Sequence, residues 1–546
     1  MATVQSEIVV PPSRADAWIR KHCDLTAFAV LILGFFTRLR AASGIFLNPD
    51  EALHFRLANQ LSLEQAYRES LTASHPPLLT FVLYFWRAGG TSDLWLRMPL
   101  IFASIVCCWV FYKWLNGAAS ELAGLIGLVF VALLPPVVTL STEIRQYPLL
   151  LCFLAVALYF LDSAFDKNSA GGIAAFSVCL YLAMLSHYSS FLFAAALGVY
   201  ALARIFQARP SHAFVVTWVI GQIGALALAL FLYRTHISKL GAGESRTPMQ
   251  GWMSEFFLRR SYFDPARDHW LAFLVGHTFG VFQYFFGQLV VGDLMCGMFV
   301  VGVFLLFRNG AFGNDRTSRW LGLIVVLPFV IASSASLAHV YPSGGTRHMA
   351  FLLIPAMAGV SVAIVCVASR RWIRGVGIAA LVLIVCVFFG KPRRPFMERA
   401  DQSNALMAKA VEFVAANGRD SAFVLTDYQS DLILGHYLCG KKPLALDESI
   451  VGFESFSCGG VRVLSADYKT ATLFDASLFG KVWEEAIRKM EPKEGSSVLI
   501  FQAGWDANLP EELSSADPQF RALRFESFGS NIKIFKLIVG QTIAVH

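Results

Sequence analysis

The sequence predicts an α-helical polytopic membrane protein with about eleven transmembrane helices and additional interfacial helices, closed by a C-terminal soluble α/β domain. Three observations carry this. Hydrophobic residues make up 56% of the 546 residues against 15% charged, and mean hydropathy is +0.56, far from the balance of soluble domains. The apolar residues fall in runs of about 18 to 22, enough helix to cross roughly 30 Å of hydrocarbon at about 1.5 Å per residue. After about residue 391 the composition becomes that of an ordinary soluble domain.

The elements follow in order. Arg20 and Lys21 precede "LTAFAVLILGFFTRLRAASGIF", which is longer than a signal-peptide core and has no convincing cleavage site, so it reads as a retained first span near 25–45. Further spans are expected near 95–115, 119–141, 147–165, 170–187, 189–206, 211–232, 289–307, 320–339, 347–369 and 374–390. A cytoplasmic N-terminus puts Lys113, Lys167, Arg204, Arg209, Arg308, Arg316, Arg319, Arg370, Arg371 and Arg374 in inner loops, as the positive-inside rule requires. This topology lays "HPPLLTFVLYFWRAGG" (75–90) and residues 269–288 on the outer surface as interfacial helices. The net charge of +7 then records loop topology, and nucleic acid is not an expected partner. The outer side receives the loop 46–94, "STEIRQY", the turn around His187, the loop 233–268, "YPSGGTRH" and the chain after 391. The expected division is a cytoplasmic N-terminus (1–24), a transmembrane domain (25–390) and an extracytoplasmic α/β domain (391–546).

In that last part "NALMAKAVEFVAAN" and "LFGKVWEEAIRKM" read as helices, "SAFVLTD" and "SSVLIFQAG" as buried strands, and "ALRFESFG" with "NIKIFKLIV" as a hairpin. Of ten cysteines only Cys439 and Cys458 fall here. On an oxidising face they are candidates for a disulfide, subject to a spatial separation that sequence does not give. No repeat or low-complexity tract stands out.

Three outer stretches carry chemistry. In "FLNPDEALHF" (46–55), Asn48 is a good N-cap, Pro49 suits the first helical position, and Asp50 and Glu51 favour the positive end of the dipole, with Glu51 at the capping-box site. Capping alone explains the pair. The alternative is catalysis, because Leu53, Leu57 and Leu61 form a stripe that lays the helix on the membrane and holds the acids at the water–lipid boundary. In "STEIRQYPLLL" (141–151), Glu143, Arg145 and Tyr147 sit between two spans, where Glu143 and Arg145 either pair with each other or serve a site. In "YPSGGTRHMAFLLIP" (341–355) a Gly pair allows a tight turn before Arg347 and His348. Arg347 is a natural phosphate ligand, and an Arg serving only as a topology anchor belongs on the inner side.

Lesser signals surround these. His54, four residues after Asp50, is expected to make a local charge pair with it rather than bind a metal. Arg38 and Arg40 either snorkel to headgroups or neutralise a bound phosphate. His75 and His187 face outward at interface depth as helpers.

The stretches "LRAASGIFLNPDEALHFRLA", "HPPLLTFVLYFW", "LRMPLIFASI", "STEIRQYPLLL" and "TRHMAFLLIP" occur in the order and spacing of a polytopic glycosyltransferase family. Over about the first 390 residues the chain resembles the bacterial relatives of protein O-mannosyltransferases and lipid A aminoarabinose transferases, which have the membrane-embedded type C (GT-C) fold. The resemblance implies transfer of a sugar from a polyprenyl-phosphate donor to a glycan, lipid or protein acceptor on the periplasmic face of the bacterial inner membrane, with inversion. It implies that Asp50, paired with Glu51, is the general base and that Glu143, Arg145 and Tyr147 form the acidic-Arg-x-Tyr turn. Arg347 is expected to meet the lipid phosphate, with His348 and His75 among the substrate-binding residues.

The chemistry is consistent with that expectation. A sugar hydroxyl needs a carboxylate to take its proton, and the departing phosphate gains charge that a fixed guanidinium stabilises. No dense Asp, Glu and His cluster has ligand spacing, so no cofactor is expected, with a divalent metal as the alternative. The absence of a nucleotide-binding glycine loop agrees with a lipid-linked donor. The main rival is a transporter or flippase for a lipid-linked glycan, which calls for mid-bilayer charges and paired broken helices. A receptor leaves the charged motifs in three loops unexplained.

Overall fold

The computed structural model describes residues 21–238, 258, 260–308, 315–368, 401–516, 520 and 523–540. In chain order the membrane part contains helices α1 (Cys23–Ala42), α2 (Pro49–Ala58), α3 (Leu63–Ser70), α4 (Leu78–Trp86), α5 (Asp93–Ala118), α6 (Glu121–Leu133), α7 (Pro135–Thr142), α8 (Tyr147–Lys167), α9 (Ala170–Ser186), α10 (Ser190–Ala208), α11 (His212–Leu232), α12 (Trp270–Phe286), α13 (Leu289–Arg308), α14 (Asp315–Leu337) and, after a 3₁₀ turn Arg347–Leu352, α15 (Leu353–Ala368). Among the described residues eight helices are long and apolar enough to cross a membrane, or nine if α6 and α7 form one bent span. Helix α9, expected to span, is one of three shorter apolar helices. The expected span over 374–390 lies outside the described residues.

The segment read as one span over 119–141 is broken. Its halves α6 and α7 meet at Leu134 with a bend of 57°. The cause is legible in "LLPPVV": Pro135 and Pro136 have no N–H and cannot continue the ladder. In the apolar 18-residue stretch of Arg347–Val367 83% of the residues are buried, against 11% in that of His212–Ile237, so the span that starts at Arg347 is central and α11 is peripheral.

The two segments expected to lie on the outer surface, α4 and α12, are both among the shorter apolar helices. His75, just before α4, packs on His54 of α2, and at the other end of α4 Arg87 donates to Asn59 Oδ1 at 2.6 Å and Gln60 O at 2.5 Å. Both ends of α4 therefore stay with the first loop. Along α12, Gly280 abuts Gly345 and Gly287 abuts Pro136, while Phe282 packs on Phe299 of α13 and Phe329 of α14, so this helix lies against the long spans.

The C-terminal part forms a seven-stranded sheet of order β2-β3-β4-β1-β5-β7-β6, with β1 (Val424–Thr426), β2 (Glu448–Ile450), β3 (Phe453–Cys458), β4 (Val461–Ala466), β5 (Ser497–Ala503), β6 (Phe525–Ser527) and β7 (Ile532–Ile538). Central β1 runs parallel to β4 and β5, and the other pairs are antiparallel. Helices α16 (Asn404–Asn417) and α17 (Tyr428–Leu438) share one core, and α18 (Ala476–Met490) with α19 (Leu509–Ala516) the other. A disulfide joins Cys439 to Cys458, with Cα atoms 5.2 Å apart.

This domain is seated on the loop that carries the acidic pair. Phe46 is fully buried in the domain's own core, and its N–H donates to Gln402 O at 2.8 Å while Asn404 N donates to Gly44 O at 3.0 Å. Arg56 of α2 bonds Asp431 at 2.5 Å and Glu454 at 2.8 Å. Asp93 accepts from Lys441 at 2.6 Å and from the Tyr437 hydroxyl at 2.9 Å.

Beneath it Arg97, fully buried in α5, gathers the turn. Its guanidinium donates to Ala42 O and Ile45 O at 3.0 Å and to Phe46 O at 3.1 Å, and makes a two-pronged pair with Glu51 at 2.7 Å on each prong. Arg97→Met strands a carboxylate that is 1% exposed, and the expected loss is about 3–5 kcal/mol, read as a drop in melting temperature of the detergent-solubilised protein. Arg56→Ala leaves Asp431 buried without its cation and is expected to lose about 1–3 kcal/mol, with faster proteolytic release of the C-terminal domain as the readout.

Candidate active site

Local sequence fixes the aim of each charged group. Asn48 Oδ1 accepts from Glu51 N and Glu51 Oε2 accepts from Asn48 N, both at 3.0 Å, which makes a complete capping box with Pro49 in the first turn. Glu51 is thereby turned inward. Its Oε1 also accepts from Ile144 N at 2.9 Å, so together with Arg97 both of its oxygens are committed. Asp50, one residue earlier, keeps 21% of its side chain exposed and faces the opposite way.

The turn 143–146 lies between the end of α7 and Pro148 in the first turn of α8. Arg145 is 3% exposed and forms an ion pair with Asp50, while its Nε lies 3.2 Å from Glu143 Oε2. Arg347 Nη2 lies 3.5 Å from Asp50 Oδ2. The Gly pair before it is required by packing. Gly344 has φ +100° and a Cβ there would stand 2.7 Å from His277, while a Cβ on Gly345 would stand 2.8 Å from the Gly280 carbonyl oxygen. Asp50 is thus bracketed by guanidinium groups from two distant loops, with Glu143 behind one of them.

Rings line the adjoining wall. His75 lies 5.7 Å from His54 and 5.4 Å from His187, and Tyr147 lies 5.1 Å from His187, measured between ring centroids. His187 Nδ1 accepts from Ser189 N at 3.1 Å, which leaves the neutral ring's proton on Nε2. His348 uses its backbone oxygen to accept from the Tyr341 hydroxyl at 3.0 Å.

Electrostatics divide the groups. Burial, helped by Arg347, pulls His54 down to about 4. Burial, with His348 and Arg347, pulls His187 down to about 3. His75 is likewise held well below its ordinary value by burial and by His187, so this wall is neutral at pH 7. Glu143 goes the other way: burial and then the Glu51 carboxylate push it up to about 7, opposed by Arg347 and Arg97.

Asp50, Glu51, Glu143, Arg145, Tyr147, Arg347, His348 and His75 therefore gather at this one end of the bundle. The lesser signals fare differently. His54, expected to pair with Asp50, packs its ring on His75 instead. Arg38, expected at headgroups or a phosphate, is fully buried. Arg97 belongs to none of the three stretches, although a lone Arg inside an apolar span is itself a signal of a paired partner. Among the described residues no group of three or more His, Cys, Asp or Glu is arranged to hold a metal ion.

Residues 74–233 match the family model described as dolichyl-phosphate-mannose-protein mannosyltransferase. No curated protein matches the chain. Over 97% of this chain and 99% of the other, the fold is similar to that of ArnT from Cupriavidus metallidurans bound to undecaprenyl phosphate, with a TM-score of 0.52 at 13% identity. The oligosaccharyltransferase of Archaeoglobus fulgidus, tethered with an acceptor peptide containing the NVT sequon, is a weaker likeness, with a TM-score of 0.48 at 10% identity over 97% of this chain and 76% of that one. The membrane bundle, the C-terminal sheet domain and the family match over 74–233 together support the resemblance drawn from the sequence motifs: the chain is built on the fold of the type C membrane glycosyltransferases.

Proposed function

We propose that this protein is a membrane glycosyltransferase that moves a sugar from a polyprenyl-phosphate donor to an acceptor hydroxyl of a glycan, lipid or protein, inverting the anomeric centre, with Asp50 as general base. The observation that carries the reading is the meeting of Asp50, Arg145 and Arg347 from three separate loops. A lipid-linked donor must keep its tail in the bilayer, so its phosphate has to be met at the ends of spans, where both arginines lie. Their guanidiniums bind a phosphate through several N–H groups at once and stabilise it more as it departs.

In-line displacement sets the base and the leaving phosphate on opposite sides of the anomeric carbon. Donor entry therefore has to part Asp50 from at least one of the two guanidiniums, freeing its carboxylate to take the acceptor's proton. Tyr147, His75 and His348 supply an uncharged wall for the sugar. Glu51 acts on this reading as a positioning residue, because its oxygens are committed to Arg97, Asn48 and Ile144. A transporter is the weaker reading, since it expects broken helices in pairs and one bent pair is present among the described residues.

The expected orientation has the N-terminus in the cytoplasm of a bacterium and the sheet domain, with residues 391–546, outside the inner membrane. The disulfide Cys439–Cys458 supports an oxidising location for that domain.

Transfer from a synthetic polyprenyl-phosphate sugar to a membrane extract measures the proposal directly. Asp50→Asn is expected to lower turnover about 100-fold or more with donor binding retained; turnover equal to wild type would remove Asp50 from the mechanism. Glu143 ionises near pH 7, so its pairing with Arg145 strengthens as pH rises through that value. The rate is expected to climb along a limb near pH 7 that Glu143→Gln abolishes; a limb that persists in the variant belongs to another group.

A further inference from the structure

The geometry points to Arg38 as a positioning residue: it replaces the two backbone donors missing at the proline break between α6 and α7, and so sets the bend that delivers Glu143 and Arg145 to the site. In an unbroken helix the N–H groups of residues 135 and 136 would bond to the carbonyls of Val131 and Ala132, four residues earlier. Both positions are proline, so those two carbonyls are orphaned at membrane depth, where no water can take them. These are the carbonyls to which Arg38 donates, from Nη2 to Val131 O at 3.0 Å and from Nη1 to Ala132 O at 2.5 Å.

The same guanidinium reaches the other side of the break. Its Nε lies 2.9 Å from both Ser104 Oγ of α5 and Ser141 Oγ of α7. Ser141 Oγ in turn is within bonding distance of Val137 O and Val138 O, at 2.7 and 2.9 Å, and stands two residues before Glu143. One rigid planar group thus braces both halves at their 57° bend. The negative end of the α6 dipole offsets part of its charge. Gly34 admits the close approach that this needs, because a Cβ there would stand 3.2 Å from Ala132 Cβ and 3.3 Å from Ala132 O.

The inference rests on the proposed site only in its consequence for turnover; its structural core is tested without any transfer assay. The variants are Arg38→Met, Pro135→Ala together with Pro136→Ala, and all three changes combined, each as the full chain in detergent. In the natural background Arg38→Met is expected to lower the melting temperature by several degrees or to abolish folded yield. In the proline-free background the restored N–H groups satisfy the carbonyls, so adding Arg38→Met is expected to change the melting temperature little. Equal loss of stability in both backgrounds, or failure to fold in both, overturns the role. For turnover, Arg38→Lys is expected to lower kcat roughly tenfold or more with donor KM nearly unchanged, because one ammonium cannot brace both halves and the turn 143–146 shifts. A full melting temperature in Arg38→Met combined with a raised donor KM alone would make Arg38 a donor ligand and overturn the inference.

Discussion

The site depends on a buried carboxylate–guanidinium pair that is itself assigned no chemistry. Arg97 and Glu51 are almost fully excluded from solvent, where an isolated charge of either sign would be prohibitive. Each is therefore surrounded by committed partners: three carbonyls of the 42–46 turn for the guanidinium, and the α2 cap with the Ile144 amide for the carboxylate. Three segments remote in sequence, the stretch from the end of α1 to the start of α2, α5 and the 143–146 turn, are locked to one point. Asp50 and Glu143 are each one residue from an atom held there, so their separation is inherited from a pair that lies beneath them.

Above that point sits the sheet domain. It contributes Tyr437, Lys441 and Asp431 to ion pairs and hydrogen bonds with Asp93, Leu47 and Arg56, and it takes Phe46 into its own core. Helix α2 is consequently held from both sides, by the membrane bundle through Glu51 and by the domain through Arg56. The disulfide between Cys439 and Cys458 ties the end of α17, the helix that makes most of these contacts, to strand β3. A domain attached in this way serves as the upper half of the scaffold that aims Asp50.

The electrostatic character of the site follows from crowding. Arg145 and Arg347 converge on Asp50 while His54, His75 and His187 are kept neutral by burial and by Arg347. Positive charge is thereby concentrated on the two planar groups best suited to a phosphate, and the neighbouring wall is aromatic and uncharged. Glu143 is poised near neutrality by burial and by the fixed charge of Glu51, so it is the group in this set most responsive to pH.

Much of this was legible in the sequence because it is local. Apolar run length marked the eight or nine spans seen among the described residues, though it also marked the shorter α9, Asn48 with Glu51 announced its capping box, and Gly344 with Gly345 marked a turn. The expected topology placed Asp50, Glu143, Arg145 and Arg347 on one side, which is a strong restriction on where distant residues can meet. The capping box assigns Glu51 one local partner, but sequence alone could not say that both of its oxygens are tied down while Asp50 is left facing the arginines. That division is made by Arg97, more than forty positions away. Nor could it tell that Arg38 turns inward, since its partners are carbonyls exposed only once Pro135 and Pro136 have broken the helix. Tertiary packing decided these matters because a buried charge takes whichever partners the fold brings to it, and those partners come from segments whose approach no local pattern encodes.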